Sequence, residues 1–124
     1  MRDGNASDLL IGGLGADLLH GNAGDDLLIG GITDFDTNFT ALDAIMDEWR
    51  RSDVDLTTRV NHLNGSLSGG QNAGYYLTAR TDHDDAAIDT LFGDAGSDWF
   101  FYLASGPFKD KLKDNGLGDI GTSL

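Results

Sequence analysis

The sequence predicts a mainly β fold, a short parallel solenoid interrupted by a helical insertion. Three observations predict it. Asp8, Asp17 and Asp26 stand nine residues apart, each behind a glycine-rich turn and ahead of an apolar pair. The same arrangement returns far downstream in Gly93-Asp94-Ala95-Gly96-Ser97-Asp98-Trp99-Phe100-Phe101, with Asp89 nine residues before Asp98. Between these blocks the apolar residues follow helical rather than strand spacing.

The units match the nonapeptide G-G-x-G-x-D-x-U-x, where U is a large apolar residue, a pattern that builds a parallel β-helix around calcium. The second unit is complete, with Gly12, Gly13, Gly15, Asp17 and Leu19 in place. The third carries Asn22 where a glycine belongs, and asparagine tolerates left-handed backbone. The first has Asp3 and Ala6 at glycine positions, and the glycines upstream of Asp89 are missing. Gly-Asp turns also serve ordinary hairpins. Hairpins, however, give no reason for an aspartate at one fixed offset through three units. Asp26 and Asp89 lie 63 residues apart, seven times nine, but the segment between them does not repeat and the multiple is read as coincidence.

These nonapeptides resemble the RTX (repeats-in-toxin) family of secreted bacterial proteins, and the repeat blocks cover roughly half the chain. The resemblance implies a calcium-dependent parallel β-roll of about two to three coils, in which two units make one coil and units two apart stack directly. Asp8 would then sit over Asp26, with Asp17 on the opposite side. Calcium takes six to eight oxygen ligands at about 2.3–2.6 Å. The implied ligands are the carboxylates of Asp8, Asp17, Asp26, Asp89 and Asp98, with turn carbonyls around Gly13, Gly15, Asn22, Gly24 and Gly96, for two or more ions. Asp34, Asp36 and Asp85, where the insertion leaves and rejoins the roll, are further candidate ligands. Asp3, Asp25 and Asp94 are expected to be solvated turn residues. Leu10, Leu19, Leu28, Leu91 and Phe100 take the inward position. A looser resemblance, carried by the order of repeat, helical insertion, Tyr-rich segment, His-Asp-Asp and Asp-Trp-Phe-Phe, is to a C-terminal module of very large bacterial RTX surface proteins.

The 124 residues suit one domain, with repeats over 1–31, an insertion over 32–83, a second repeat block over 84–104 and a C-terminal tail over 105–124. With 21 acids against 8 bases, the net charge of −13 repels nucleic acid and anionic membranes and opposes compaction unless cations bind. At 40% hydrophobic residues the chain can still form a core. No cysteine is present, which removes disulfides and thiolate metal sites. No apolar run approaches the ~20 residues of a membrane span. The absence of an N-terminal signal before the repeats fits type I secretion to the cell surface or medium, the route the RTX resemblance implies. Starting directly on a repeat suggests a module with neighbouring domains in a longer parent.

In the insertion, Phe39, Leu42, Ile45, Met46 and Trp49 make one helical stripe, capped by Thr37 or Asn38 and ended by Arg50-Arg51. A second helix is predicted over 56–63, capped by Asp55 and stopped by Asn64-Gly65. Residues 66–74 read as a loop and Tyr75-Tyr76-Leu77-Thr78 as a strand. The outward row Leu9, Leu18 and Leu27 needs cover, since exposed apolar surface costs about 25 cal/mol per Å². The helix over 39–51 is expected to lie on one roll face, with Trp49 and Trp99 in a shared core. The stretch 109–114 reads as charged and exposed, with a frayed end beyond it.

Gly65-Ser66-Leu67-Ser68-Gly69 fails as a nucleophile elbow, because Leu67 stands where the serine must be. Neither H-E-x-x-H nor a phosphate-cradling loop occurs. The one chemically suggestive cluster is Asp82-His83-Asp84-Asp85, near Asp34 and Asp36, to which His20 and His62 could add. Imidazole with carboxylates could hold a transition metal and activate water. On that reading His83, Asp84 and Asp85 are catalytic candidates of a small hydrolase of phosphate or sulfate esters. The plainer reading gives Asp84 or Asp85 a turn cap or a calcium bond and leaves His83 in solvent. The leading reading is a calcium-binding module that folds outside the cell. A third is an extracellular glycan- or protein-binding module using Tyr75, Tyr76 and the tryptophans.

Overall fold

The computed structural model describes residues 7–113 and 118–124. Asp3 and the other glycine-position residues of the first turn, together with Asp114, lie outside the described residues. In chain order the elements are β1 (Leu9–Ile11), β2 (Leu18–His20), β3 (Leu27–Ile29), β4 (Ile32–Thr33), α1 (Phe39–Trp49), α2 (Leu56–Leu63), β5 (Asp82–His83), β6 (Thr90–Phe92), β7 (Trp99–Tyr102), β8 (Lys111–Lys113) and β9 (Ile120–Ser123).

Each nonapeptide gives one glycine turn and one short strand, and successive strands alternate between two parallel sheets. One sheet has the order β1-β3-β7-β9 and the other β2-β6-β8. Registers follow the motif. Leu10 pairs with Leu28, Leu28 with Phe100, and Leu19 with Leu91. Because side chains alternate along a strand, these residues face inward together. Leu10, Leu19, Leu28, Leu91 and Phe100 form one buried cluster between the sheets, with Tyr102 and Leu112 packed at its side. The expected inward row is the observed core.

The insertion leaves through β4 and returns through β5, which pair antiparallel with Ile32 opposite His83. β3 and β6 therefore stand at consecutive steps of the roll, in opposite sheets. The 63 positions from Asp26 to Asp89 are one nine-residue step plus an insertion of 54 residues. The multiple of nine has no bearing on the stacking.

The insertion folds back over the outer face of the four-stranded sheet. Leu27, Ile29, Trp99 and Phe101 meet Ile45, Trp49, Val60, Leu63 and Leu77 in a second buried cluster. Trp49 and Trp99 lie with ring centroids 6.0 Å apart, as the sequence predicts. The caps also fall as read: Asn38 Oδ1 accepts from the Ala41 N–H at 3.1 Å and Asp55 Oδ1 from the Thr58 N–H at 2.8 Å. Leu18 is different, 50% exposed on the uncovered sheet, because its unit falls on the opposite side of the roll.

Three expectations change. Phe39 is 75% exposed, and its helix buries Ala41, Ile45, Glu48 and Trp49 instead. Glu48 can be buried because its carboxylate is fully engaged, taking Arg51 at 3.0 Å, His62 Nδ1 at 3.0 Å and the Gln71 N–H at 2.8 Å. Burial acts to raise the Glu48 pKa, but these donors outweigh it and hold the group below its ordinary value. Residues 75–78 are not a strand. Leu77 N–H donates to the α2 end at Leu63 O, and Thr81 Oγ1 to Tyr76 O, so local bonds replace a ladder. Finally, the described part of the tail is structured: β8 pairs with β6 and β9 with β7, extending the roll to seven strands among the described residues, three coils and a half.

Candidate metal centre

The turns place their aspartates through left-handed backbone at fixed offsets. Four and two residues before the motif aspartate, φ is +84° at Gly13 and +92° at Gly15, +67° at Asn22 and +112° at Gly24, and +64° at Asp94 and +107° at Gly96. Glycine takes these angles without a Cβ penalty and asparagine or aspartate with little. Gly96 also has no room for a side chain, since a Cβ there would strike Gly24 O. The unit before Asp89, which lacks these glycines, instead puts Ala86 at φ +60°.

The motif aspartates stack into two columns. In the first, the Asp8 N–H donates to Asp26 Oδ1 at 3.0 Å, Asp26 N–H to Asp98 Oδ1 at 2.8 Å, and Asp98 N–H to Asp119 Oδ1 at 2.8 Å. In the second, Asp17 N–H donates to Asp89 Oδ1 at 2.7 Å and Asp89 N–H to Asp110 Oδ1 at 2.9 Å. One carboxylate oxygen of Asp26, Asp98, Asp119, Asp89 and Asp110 is thus spent on holding the coil before it.

In Asp110 the other oxygen is also taken, Oδ2 accepting from Leu103 N–H at 2.8 Å, but in Asp89 and Asp98 it is left for something else. Oδ2 of Asp17, Asp89 and Asp98 is buried with no hydrogen-bond partner. A buried carboxylate oxygen in that condition is costly unless a cation or proton meets it. Each faces a glycine of its own turn. A Cβ at Gly12 would lie 2.8 Å from both Asp17 Oδ2 and Gly30 O, and one at Gly30 would lie 2.8 Å from Asp89 Oδ2 and 3.4 Å from Asp110 Oδ2. The glycines therefore keep open cradles where carboxylate and carbonyl oxygens converge. An all-oxygen donor set of this kind fits calcium.

The electrostatics agree. Burial, with Asp110 and other carboxylates beside it, pushes Asp89 up to about 7. Burial, with Asp119 and Asp26 beside it, pushes Asp98 up to about 8. Asp110 is raised by burial first and by neighbouring carboxylates after it.

The remaining candidates make hydrogen bonds of their own. Asp34 bonds His83 Nε2 at 2.8 Å, Asp36 holds the Thr33 hydroxyl at 2.6 Å, and Asp85 Oδ2 accepts from the Gly15 N–H at 2.6 Å. Asp84 Oδ2 accepts from Ala86 N–H at 2.9 Å, and its Oδ1 is buried without a hydrogen-bond partner. The three histidines are not brought together: His20 stacks on Phe92 with ring centroids 4.3 Å apart, His62 is buried against Glu48, and His83 meets Asp34. Among the described residues no group of three or more His, Asp or Glu side chains is arranged to hold a metal ion. Trp49 and Trp99 are buried and give no contact surface.

Asp25 and Asp94 are more than solvated turn residues. Asp94 Oδ2 accepts from Asn22 N–H at 3.1 Å, and Asp25 Oδ1 from Ser97 N–H at 2.9 Å. The sequence reading missed Asp110 and Asp119. Their nine-residue separation, with Leu112 two places after Asp110, was the available signal.

A family model for the RTX calcium-binding nonapeptide repeat, in four copies, matches residues 3–34 and 83–104. Neither a curated protein nor a solved structure matches the chain. No helix among the described residues is long and apolar enough to cross a membrane. The stacked glycine turns of this chain are RTX calcium-binding nonapeptide repeats, set in parallel sheets consistent with a β-roll.

Proposed function

We propose that this chain is a calcium-dependent folding module of a secreted bacterial protein, kept loose by its charge where calcium is scarce and folded where calcium is abundant. The observation that carries this reading is the buried, unpartnered Oδ2 of Asp17, Asp89 and Asp98 in their glycine cradles. With a net charge of −13, stacking these acids without cations sets like charges on one another in two columns. Because the cradles exist only when turns stack, ion binding is folding free energy. Asp110 and Asp119, beyond the matched repeats, continue both columns, and Asp110 holds its coil with both oxygens, Oδ1 accepting from Asp89 N–H and Oδ2 from Leu103 N–H.

A calcium titration of the EDTA-stripped protein, followed by far-UV circular dichroism and calorimetric stoichiometry, tests the reading. A cooperative gain of β-structure with several ions bound is expected, and fewer ions in Asp89→Asn. A fully folded apo protein indifferent to calcium overturns it.

A further inference from the structure

The insertion does more than cover the roll. All three acceptor atoms of Asp25, the residue before motif Asp26, are taken by different elements. Its carbonyl accepts from Trp49 Nε1 of α1 at 2.9 Å, Oδ2 from Arg59 of α2 at 3.0 Å, and Oδ1 from Ser97 N–H of the turn stacked below at 2.9 Å. Arg59 is itself buried. Its NH1 donates to Trp49 O at 2.8 Å, and its guanidinium lies 5.0 Å from the centre of the Trp49 ring. One side chain thus ties the end of α1, the body of α2 and a turn of the first aspartate column.

The third turn runs from this grip straight into the ladder. Gly24 O packs against Gly96, and Asp26 N–H donates to Asp98 Oδ1. The ladder bonds of the second column, from Asp17 to Asp89 and from Asp89 to Asp110, stay within the roll. The two columns are therefore supported unequally.

We infer that Arg59 is a positioning residue for calcium: through Asp25 it presets the third turn, so that docking of the helical insertion and ion binding in the first column are coupled. The inference rests on the calcium reading above. Coupling of this kind is reciprocal, so ions in the first column also hold the helices down. Arginine suits the role because its planar fork serves the Asp25 carboxylate and the Trp49 carbonyl together, which a lysine cannot reproduce.

Both tryptophans of the chain lie beside the first column, Trp99 directly after Asp98 and Trp49 bonded to Asp25. Terbium luminescence excited through tryptophan, where tyrosine does not absorb, therefore reports that column, while calorimetric calcium titration reports both. Arg59→Gln is expected to weaken terbium binding about fivefold, the low end of typical coupling. The second-column calcium sites should keep their affinity, and Arg59→Lys should fall between. Asp25→Asn, which keeps the acceptor for Ser97, should reproduce the loss if Arg59→Gln does not fold. In the other direction, Asp98→Asn should reduce the helical signal gained on adding calcium. A lowered apo melting temperature with an unmoved terbium midpoint in both Arg59→Gln and Asp25→Asn overturns the coupling and leaves Arg59 a packing residue. A wild-type chain that takes up neither ion removes the calcium reading itself, and the coupling with it.

Discussion

Oδ1 of Asp98 accepts the backbone N–H of Asp26 at 2.8 Å, across 72 positions of sequence. The same carboxylate keeps Oδ2 buried and unpartnered. Its two oxygens therefore have separable duties, one in the ladder and one toward the ion. Asp98→Asn preserves the ladder acceptor and removes the charge. Its melting temperature in EDTA should equal or exceed that of the wild type, while the rise on adding calcium shrinks. Asp98→Ala should lower both. Equal calcium responses in wild type and Asp98→Asn would show that Oδ2 does not meet the ion.

Gly30 lines the second column. A methyl there would sit 2.8 Å from Asp89 Oδ2 and 3.4 Å from Asp110 Oδ2. Gly30→Ala is expected to weaken calcium binding by tenfold or more, about 1.4 kcal/mol, with the first column unaffected. Calorimetric titration, compared with terbium luminescence through the tryptophans, separates the two columns.

Trp49 joins the insertion to the roll through its ring and its Nε1. Trp49→Ala should cost about 3–5 kcal/mol by loss of packing and cavity formation, measured by urea denaturation in saturating calcium. Trp49→Phe, which fills most of the volume but cannot donate to Asp25, should cost less.

Asp82 is 1% exposed, takes a hydrogen bond from Thr81 Oγ1 at 3.2 Å and leaves Oδ2 without a partner. Burial foremost, helped by the nearby charges of Asp36 and Asp34, pushes its pKa up to about 7. A carboxyl whose pKa is raised by folding takes up protons on folding. Its penalty is absent near pH 4, grows as the pH rises toward 7 and is constant above. Asp82→Asn, uncharged at every pH, should be more stable than the wild type at pH 8 by up to a few kcal/mol, since each tenfold change in proton affinity is worth about 1.4 kcal/mol. The advantage should vanish toward pH 4. A difference independent of pH between 4 and 8 would rule this out. Thermal melts of both proteins across that range, at fixed calcium, decide it.

The roll was legible because its physics is periodic. A glycine turn, an aspartate and a U residue every nine positions name Leu10, Leu19, Leu28, Leu91 and Phe100 as core without reference to anything distant. The last coil lacks that legibility. From Asp98 to Asp110 the step is twelve residues rather than nine, so the pair Asp110 and Asp119 keeps its own nine-residue spacing out of phase with the earlier units, and strand register with β6 and β7 places them as rungs. Asp25 and Asp94 were misread for a related reason. Their partners, Ser97 and Asn22, each lie 72 residues away, and stacking makes neighbours that no local pattern announces. In the insertion, helical spacing found α1 but not which of its sides is buried. Phe39 lies at the solvent end of its stripe, while Glu48, polar and unpromising, is buried by its bonds to Arg51, His62 and Gln71.

The neck formed by β4 and β5 carries a consequence of its own. Residues on either side of it, Ile29 and Thr90, keep the ladder positions they would hold if the 54 residues in excess of one nine-residue step were cut away. A ladder whose rungs bond only to the coils above and below does not register how much chain loops out between two of them. A foreign segment grafted through a two-residue antiparallel stalk would fold, or fail, largely on its own account. What this particular guest adds is a core shared with Leu27, Ile29, Trp99 and Phe101 and the grip on Asp25, which turn a tolerated passenger into part of the host.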